Sequence, residues 1–157
     1  YFIQTKVTGD DLTIMNIKKE CTFYYQELCE RQAYEPIARE ASRRGYSVEF
    51  TDDITRPSEI GFYCSHINHP ENSKLSFIMF HGMDQGRVRW PNMWIREPWN
   101  KYDVGLLPGS SWVERWQKCT RDPVVHPRKG VYEIGWPKAD LILNSEYCFS
   151  SKVEKRI

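Results

Sequence analysis

Ser76-Phe77-Ile78-Met79-Phe80-His81-Gly82-Met83 is the stretch from which the fold of this chain is inferred. An apolar run of strand length ends on a histidine, and a glycine follows directly. A strand that ends in a glycine or proline turn brings its last residue to the edge of a sheet, which is where open α/β sheets bind ligands. Histidine changes its charge near neutral pH, so His81 is the candidate for acid–base chemistry at that edge.

The rest of the chain contains further apolar runs of strand length, separated by turns and predicted helices. This alternation predicts an α/β fold. Helices are predicted at 34–45, where Pro36 suits the first turn and Gly45 the cap, and at 111–118. The strands are apolar runs rather than alternating ones, which is typical of a sheet covered on both faces. We therefore predict a Rossmann-like three-layer sandwich with a mostly parallel sheet. Its strands are predicted at 21–25, 47–50, 60–64, 75–80, 104–107 and 131–134.

Length, charge and cysteine content narrow the class of protein. The 157 residues suffice for one domain with a sizeable core, which we place at 21–144, between an irregular segment (1–20) and a C-terminal tail or linker (145–157). Lys and Arg number 22 against 21 Asp and Glu, so the net charge gives no reason to expect nucleic acid as a partner. No apolar run approaches the roughly 20 residues of a membrane span. The five cysteines are odd in number and scattered, which favours a reducing compartment and a cytoplasmic location.

Two interpretations of His81 are open from its sequence context alone. It can be a buried histidine whose ring nitrogens form hydrogen bonds with the backbone, or it can be a general base that removes a proton from a hydroxyl. Gly82 removes side-chain bulk beside the imidazole and favours the second interpretation. Asp84 and Arg87 can orient the ring and an anionic group, respectively, or they can be solvated loop residues.

No metal site and no cysteine nucleophile are predicted. Cys64, His66 and His69 follow the pattern Cys-x-His-x-x-His, but a closed zinc site needs four ligands and no second Cys/His pair is near in the sequence. The residues at 68–72 are interpreted as an exposed turn. The chain also contains no G-x-G-x-x-G and no Walker phosphate-binding loop, which weakens any prediction of NAD or ATP binding.

Two further features allow a binding role beside a structural one. Pro108-Gly109-Ser110-Ser111 leads into a helix, so its backbone N–H groups can bind an anion, while one of its serines can equally be an ordinary N-cap. The tryptophans at 90, 94, 99, 112 and 116 can form a sugar platform or a membrane-interface belt. Pairs of them are spaced i, i+4, which one-sided helical packing also explains.

Several segments together resemble the N-terminal half of a GT-B transferase, and most closely the CDP-glycerol glycerophosphotransferases and related surface-polymer glycosyltransferases. The resemblance covers roughly residues 21–143. Its more specific parts are the His-Gly turn and the Gly-x-Pro-x-x-Asp segment. The segments are Glu35-Pro36-Ile37-Ala38, Arg44-Gly45-Tyr46-Ser47-Val48, Phe80-His81-Gly82, Tyr102-Asp103-Val104 and Gly135-Trp136-Pro137-Lys138-Ala139-Asp140.

In such enzymes two Rossmann-like domains face each other across a cleft, and the N-terminal domain binds the acceptor. The resemblance implies that His81 deprotonates the acceptor hydroxyl, which then attacks the donor phosphorus or anomeric carbon. Gly82 would give the acceptor room. The residues implied to bind the acceptor are Gly82, Asp84, Arg87, Pro108, Gly109, Ser110, Gly135 and Pro137.

The resemblance also implies a second domain and its ligands. A donor domain for CDP-glycerol or a sugar nucleotide is expected in the same polypeptide or in another chain, and no cofactor is expected in the 21–144 domain. The acceptor would be a polymer or a glycolipid, and the family is compatible with peripheral association at the inner face of the membrane.

The first residue is Tyr1 rather than Met, which indicates a processed or excised piece. Without the donor domain the chain is expected to be inactive or very slow, because positioning the donor supplies much of the rate.

Two other functions are compatible with the same sequence. The first is one half of a sugar-nucleotide epimerase, which shares the two-domain plan. The second is a non-catalytic module that binds a glycan or a protein partner, and the missing donor half is its best support.

Overall fold

A computed structural model describes residues 17–64, 69–80, 99–119 and 126–143 of the chain. The described residues form three α-helices, which are α1 (Leu28–Arg43), α2 (Ser110–Cys119) and α3 (Pro137–Leu143). Short 3₁₀ turns lie at Pro70–Asn72 and Trp99–Lys101. The strands are β1 (Glu20–Tyr24), β2 (Ser47–Thr51), β3 (Ser58–Tyr63), β4 (Ser73–Met79), β5 (Val104–Leu107) and β6 (Val131–Glu133).

The six strands form one sheet in the order β2-β1-β3-β4-β5-β6, and every neighbouring pair is parallel. This arrangement confirms the α/β fold with a parallel sheet, and each of the six predicted strands is present. β1, β3 and β5 are buried along most of their length, as their apolar runs predicted. The three-layer arrangement stays a prediction.

One face of the sheet carries a row of stacked phenylalanine rings. The parallel register places Phe23 beside Phe50 on one side and beside Phe62 on the other, with Phe77 next to Phe62. Their ring centroids are 5.2, 4.6 and 4.8 Å apart in that order. Because side chains alternate between the faces of a strand, this phenylalanine face includes one side chain from each of four adjacent strands.

The opposite face is built from tyrosines. The rings of Tyr24 and Tyr63 are stacked with centroids 4.6 Å apart, and Tyr102 lies 5.5 Å from Tyr63. The Tyr24 hydroxyl donates a hydrogen bond of 2.6 Å to the carbonyl of Arg56, in the connection 52–57 between β2 and β3. This tyrosine face therefore anchors that short connection to the sheet.

The helix α1 begins earlier than predicted, so the placement of Pro36 in its first turn is wrong. The carboxylate of Glu30 accepts hydrogen bonds from the backbone N–H groups of Gln26 at 2.7 Å and Glu27 at 3.2 Å. These bonds fix the start of the helix. Pro36 consequently lies in the interior of α1, where proline has no N–H group to donate to the carbonyl of Gln32. Gly45 follows the helix with φ of 81°, as predicted for a left-handed cap.

The end of α1 carries an exposed carboxylate bound by two arginines. Arg43 donates through two nitrogens to Glu40, each at 2.7 Å, and Arg44 Nε donates at 2.7 Å. These hydrogen bonds, with Arg43 the larger cause, lower the pKa of the Glu40 carboxyl from 4.5 to about 2. Because the pKa is lower in the folded state, the contribution of these pairs to stability is present above about pH 4.5 and is lost as the pH falls towards 2.

We expect an NMR titration of the folded chain to give a midpoint near 2 for the Glu40 carboxyl. In a variant with both Arg43→Gln and Arg44→Gln, the midpoint should rise towards the ordinary value of a glutamate, about 4.3. Glu20, which is exposed and lies in β1, serves as the reference resonance in both proteins. A Glu40 midpoint that does not move in the double variant would contradict the assignment.

A buried pair of polar side chains joins β4 to the start of β5. One carboxylate oxygen of Asp103 accepts hydrogen bonds from the Ser76 N–H at 2.9 Å and from the Ser76 hydroxyl at 3.0 Å. The Asp103 N–H donates in turn to Ser76 Oγ at 3.0 Å. The other carboxylate oxygen lies 3.2 Å from Arg128 Nε, in the segment before β6. The Asp103–Ser76 pair thus links three consecutive strands of the sheet.

The helix α3 was not predicted from the sequence. It has only seven residues, begins at Pro137 and packs against α1. Residues 1–16 and 144–157 lie outside the described residues, so the proposed boundaries at 20 and 144 stay predictions.

Candidate functional site

Three strands of the sheet end side by side at its carboxyl edge. β4 pairs with β5 and β5 with β6, with Met79 opposite Leu106 and Leu107 opposite Glu133. Phe80, the residue that follows β4, is buried, and its ring centroid lies 5.6 Å from that of Trp112 in α2. The end of β4 is therefore in contact with the helix that follows β5.

His81, Gly82, Asp84 and Arg87 lie outside the described residues. Their predicted roles therefore stay predictions. The described chain fixes only the position of Phe80, which precedes His81 in the sequence.

The turn between β5 and α2 contains the predicted residues Pro108, Gly109 and Ser110. The carbonyl of Gly109 accepts hydrogen bonds from the N–H groups of Trp112 at 3.0 Å and Val113 at 3.1 Å. Ser110 is exposed and is the first residue of α2. The first N–H groups of a helix have no acceptor within the helix and point beyond its N-terminus. The start of α2 therefore directs backbone donors towards the carboxyl edge.

The predicted residues Gly135 and Pro137 lie in the neighbouring turn, between β6 and α3. The N–H of Ile134 donates to the carbonyl of Leu107 at 2.9 Å, which keeps this turn beside the end of β5. Gly135 has φ of 78°, a conformation that residues with a side chain rarely adopt. Trp136 accepts a hydrogen bond from the N–H of Ala139 at 2.8 Å, so it stands at the start of α3. The two predicted turns therefore share one edge of the sheet.

Glu133 is a residue of this edge that the sequence analysis did not single out. It is the last residue of β6 and is exposed. Its carboxylate oxygen Oε1 lies 3.8 Å from the position that a Cβ on Gly109 would occupy. The pairing of β5 with β6 brings Glu133 and Gly109 together. The sequence pattern of either strand alone does not indicate this proximity.

Aromatic side chains pack together near the same edge of the sheet. Phe80 and Trp99 are buried, with ring centroids 5.3 Å apart. Trp112 and Trp136 are partly buried and pack on the hydrophobic cluster to which Phe80 and Trp99 belong. The predicted i, i+4 pairs with Trp90, Trp94 and Trp116 are not tested, because the side chains of those three tryptophans are not described.

The strand order reverses between β1 and β3, and this topological switch point is where many α/β proteins bind nucleotides. In this chain the N–H groups of Gln26 and Glu27, which follow β1, are already bonded to the Glu30 carboxylate. Glu30 itself is buried. A negatively charged side chain thus occupies the position at which a phosphate would otherwise accept these hydrogen bonds.

The three cysteines whose side chains the structure describes, Cys21, Cys29 and Cys64, lack the properties of a nucleophile. Burial raises the pKa of Cys21 to about 11 and that of Cys64 further still. Burial also raises the pKa of Cys29, whose thiol donates to Glu27 at 3.4 Å. Since the thiolate is the reactive form, these side chains are mostly neutral and unreactive near pH 7.

A cavity of about 400 Å³ lies on the phenylalanine face, between α1 and α3. Phe62, Phe77 and Leu106 contribute to its floor, and Ile37 and Ala41 contribute to its wall. Among the predicted acceptor residues that the structure describes, only Pro137 lines it. The lining of the cavity is mostly apolar, and its charged residues are Asp140 and the Glu40–Arg44 pair, whose charges bind each other, so we place the candidate site at the carboxyl edge instead.

In residues 17–64, 69–80, 99–119 and 126–143, no group of three or more His, Cys, Asp and Glu side chains is arranged to bind a metal ion. His69 Nδ1 lies 3.0 Å from Glu71 Oε1, while His66 falls outside the described residues. No α-helix in the described part of the chain has the length and apolar character needed to cross a membrane.

Comparison of the chain with protein-family models, with curated proteins and with solved structures found no match.

Proposed function

We propose that this chain is the acceptor-binding half of a glycerophosphotransferase or glycosyltransferase that acts in the synthesis of a cell-surface polymer. His81 is the general base that removes the proton of the acceptor hydroxyl, and Gly82 leaves room for the acceptor beside it. A polymer or glycolipid acceptor lies along the carboxyl edge of the sheet. CDP-glycerol or a sugar nucleotide is supplied by a donor domain in the same or another chain.

The observation that supports this proposal is the convergence of the two described turns. Pro108, Gly109 and Ser110 follow β5, Gly135 and Pro137 follow β6, and these strands are neighbours. Phe80, next to His81 in the sequence, directly follows β4 on the other side of β5 and contacts Trp112. Residues from three distant parts of the sequence therefore meet at the edge where parallel sheets bind ligands.

The switch point supports the proposal that the acceptor and the nucleotide bind to different domains. A nucleotide bound between β1 and β3 would compete with the Glu30 carboxylate for the N–H groups of Gln26 and Glu27. Its phosphates would also be repelled by the charge of Glu30. This geometry favours an acceptor domain that leaves the nucleotide to a second domain.

NMR spectroscopy of the ¹⁵N-labelled chain tests the proposal. We expect a glycerol phosphate oligomer or a β-linked disaccharide to shift the amide resonances of Gly109, Ser110 and Gly135. CDP-glycerol and UDP-glucose alone should leave these resonances in place. The amide of Gly45, which lies at the opposite edge after α1, is the internal control.

The other candidate functions predict different spectra or products. Shifts at the carboxyl edge with UDP-glucose alone would favour the half of a sugar-nucleotide epimerase. A non-catalytic binding module would bind the disaccharide but would form no product when a donor domain is added. If no hydroxyl-bearing compound shifts the edge resonances, the acceptor assignment is wrong.

A further inference from the structure

The cavity between α1 and α3 on the phenylalanine face has a deep apolar floor. Its volume of about 400 Å³ lies in the range of small-molecule sites. Four side chains of its floor have little exposed surface, namely Ile60 (5%), Phe62 (8%), Leu75 (4%) and Leu106 (8%). Because so little of each side chain is open to solvent, a flat protein surface would not reach this floor, whereas a slender ligand would.

The floor is elongated along the strands. Leu75 is opposite Ile60 at one end, while Leu106 is opposite Met79, four residues beyond Leu75 in β4. At about 3.3 Å per residue, the two levels are roughly 13 Å apart. A methylene group takes up about as much room as a water molecule, roughly 30 Å³, so the volume suits a chain of roughly a dozen carbons. These dimensions match an extended alkyl chain better than a compact ring system.

One charge that lines the cavity is not balanced by another described charge. Glu40 and Arg44 line it, but they bind each other at 2.7 Å. Asp140 of α3 lines it too, is exposed, and takes part in no ion pair among the residues that the structure describes. Lys138 precedes Asp140 by two residues, a spacing at which side chains on a helix do not face each other. The cavity is therefore complementary to a ligand with a positive charge.

We propose that this cavity binds an amphipathic cation, an unbranched alkyl chain that ends in one protonated amine. The chain lies on the floor formed by Phe62, Phe77 and Leu106, and the amine lies beside the Asp140 carboxylate. This is a second ligand site, and it does not depend on the proposed function. It assigns a role to Asp140, the last residue of the Gly-x-Pro-x-x-Asp segment, which is not among the predicted acceptor-binding residues.

Methyl NMR spectroscopy of the intact chain, with each probe below its micelle concentration, tests the site. We expect decylammonium to shift the floor methyl resonances, those of Ile60, Leu75 and Leu106. The reference methyl resonances, those of Ile78 and Leu107, should stay in place, because both residues belong to the cluster on the tyrosine face.

Two further probes separate the contribution of the charge from that of the chain. Decanoate has a chain of the same length and the opposite charge. It should bind at least about tenfold more weakly than decylammonium, since one charge interaction at about 4 Å changes binding roughly fivefold even in water. Butylammonium has the same amine on a much shorter chain and should bind at least about 100-fold more weakly, because it buries far fewer methylene groups.

Variants test the two contacts in the protein. Asp140→Asn should weaken decylammonium binding about fivefold and reduce its preference over decanoate. Its matched control is Asp52→Asn, at an exposed aspartate that does not line the cavity. Ala41→Phe places a ring in the cavity from α1 and should weaken both ligands at least about tenfold. Ser42→Phe, at the exposed neighbouring position, should leave binding unchanged.

Each result supports or overturns the proposal. If decylammonium leaves the floor methyl resonances in place, the cavity does not bind this ligand and the proposal is wrong. Equal shifts of the reference methyl resonances would indicate general partitioning into apolar clusters and would overturn it as well. If decanoate binds as tightly as decylammonium, or if Asp140→Asn leaves the preference unchanged, the positive headgroup is wrong. Should Ala41→Phe fail to fold, the three probes on the unmodified chain still decide the question.

Discussion

If the proposed function holds, replacing His81 by alanine is expected to lower kcat by about 100- to 10,000-fold in the proposed transferase, meaning this chain together with the proposed donor domain. A positioned general base contributes a factor of that order to proton transfer. The acceptor hydroxyl would still bind, because the described turns at Gly109 and Gly135 do not include the histidine. We therefore expect a large loss in kcat, measured as polymer extension per unit time, and a small change in KM for the acceptor.

The control for this experiment is His69→Ala. His69 precedes the amino end of β4 and its Nδ1 lies 3.0 Å from Glu71 Oε1, so its removal should leave the rate unchanged. Far-ultraviolet circular dichroism of both variants establishes that the fold is retained. Near-normal turnover in His81→Ala would exclude the catalytic role and leave the structural interpretation of this histidine.

Replacing Asp103 by alanine is expected to destabilise the fold by about 3 kcal/mol, the order of effect seen when two buried donors lose their acceptor at about 1–3 kcal/mol each. The substitution leaves the N–H and the hydroxyl of Ser76 without their buried acceptor. It also removes the partner of Arg128. For a chain of this length a loss of that size lowers Tm by roughly 6–12 °C, which thermal or urea denaturation measures.

Two further variants isolate the cause of this loss. Asp103→Asn keeps one acceptor oxygen for Ser76, so its loss should be smaller than that of the alanine variant. Asp52→Ala removes an exposed aspartate from the connection after β2, and its effect should stay within about 0.5 kcal/mol. Equal stability of Asp103→Ala and Asp52→Ala would show that the buried pair contributes nothing.

Local patterns sufficed to predict the six strands and two of the three described helices. The six apolar runs all became parallel strands. For β1, β3 and β5 the reason is burial, because a strand covered on both faces needs apolar residues along most of its length. The start of α1 was predicted too late, since Pro36 was given more weight than the hydrogen bonds of Glu30. The short helix α3 was missed because seven residues give too little periodicity to recognise.

The candidate site could be predicted only in part. Glycine and proline turns after β5 and β6 have a local signature, and the structure brings them to one edge. Glu133 and Asp103 have no such signature, because their partners Gly109 and Ser76 are 24 and 27 residues away and meet them only through strand pairing. The order of the strands was not contained in any local pattern, and it decides which distant turns become neighbours.

The carboxylate of Glu30 at the start of α1 has a consequence for how the folded state responds to ligands. A ligand that binds only the folded state raises stability in proportion to the logarithm of its concentration. Where a helix N-terminus is vacant, phosphate or nucleotide in the medium can supply such stabilisation. Here the acceptor is part of the polypeptide, so it is present at unit stoichiometry with the folded chain. The fold around β1 and β3 is therefore thermodynamically independent of the nucleotide supply at this position.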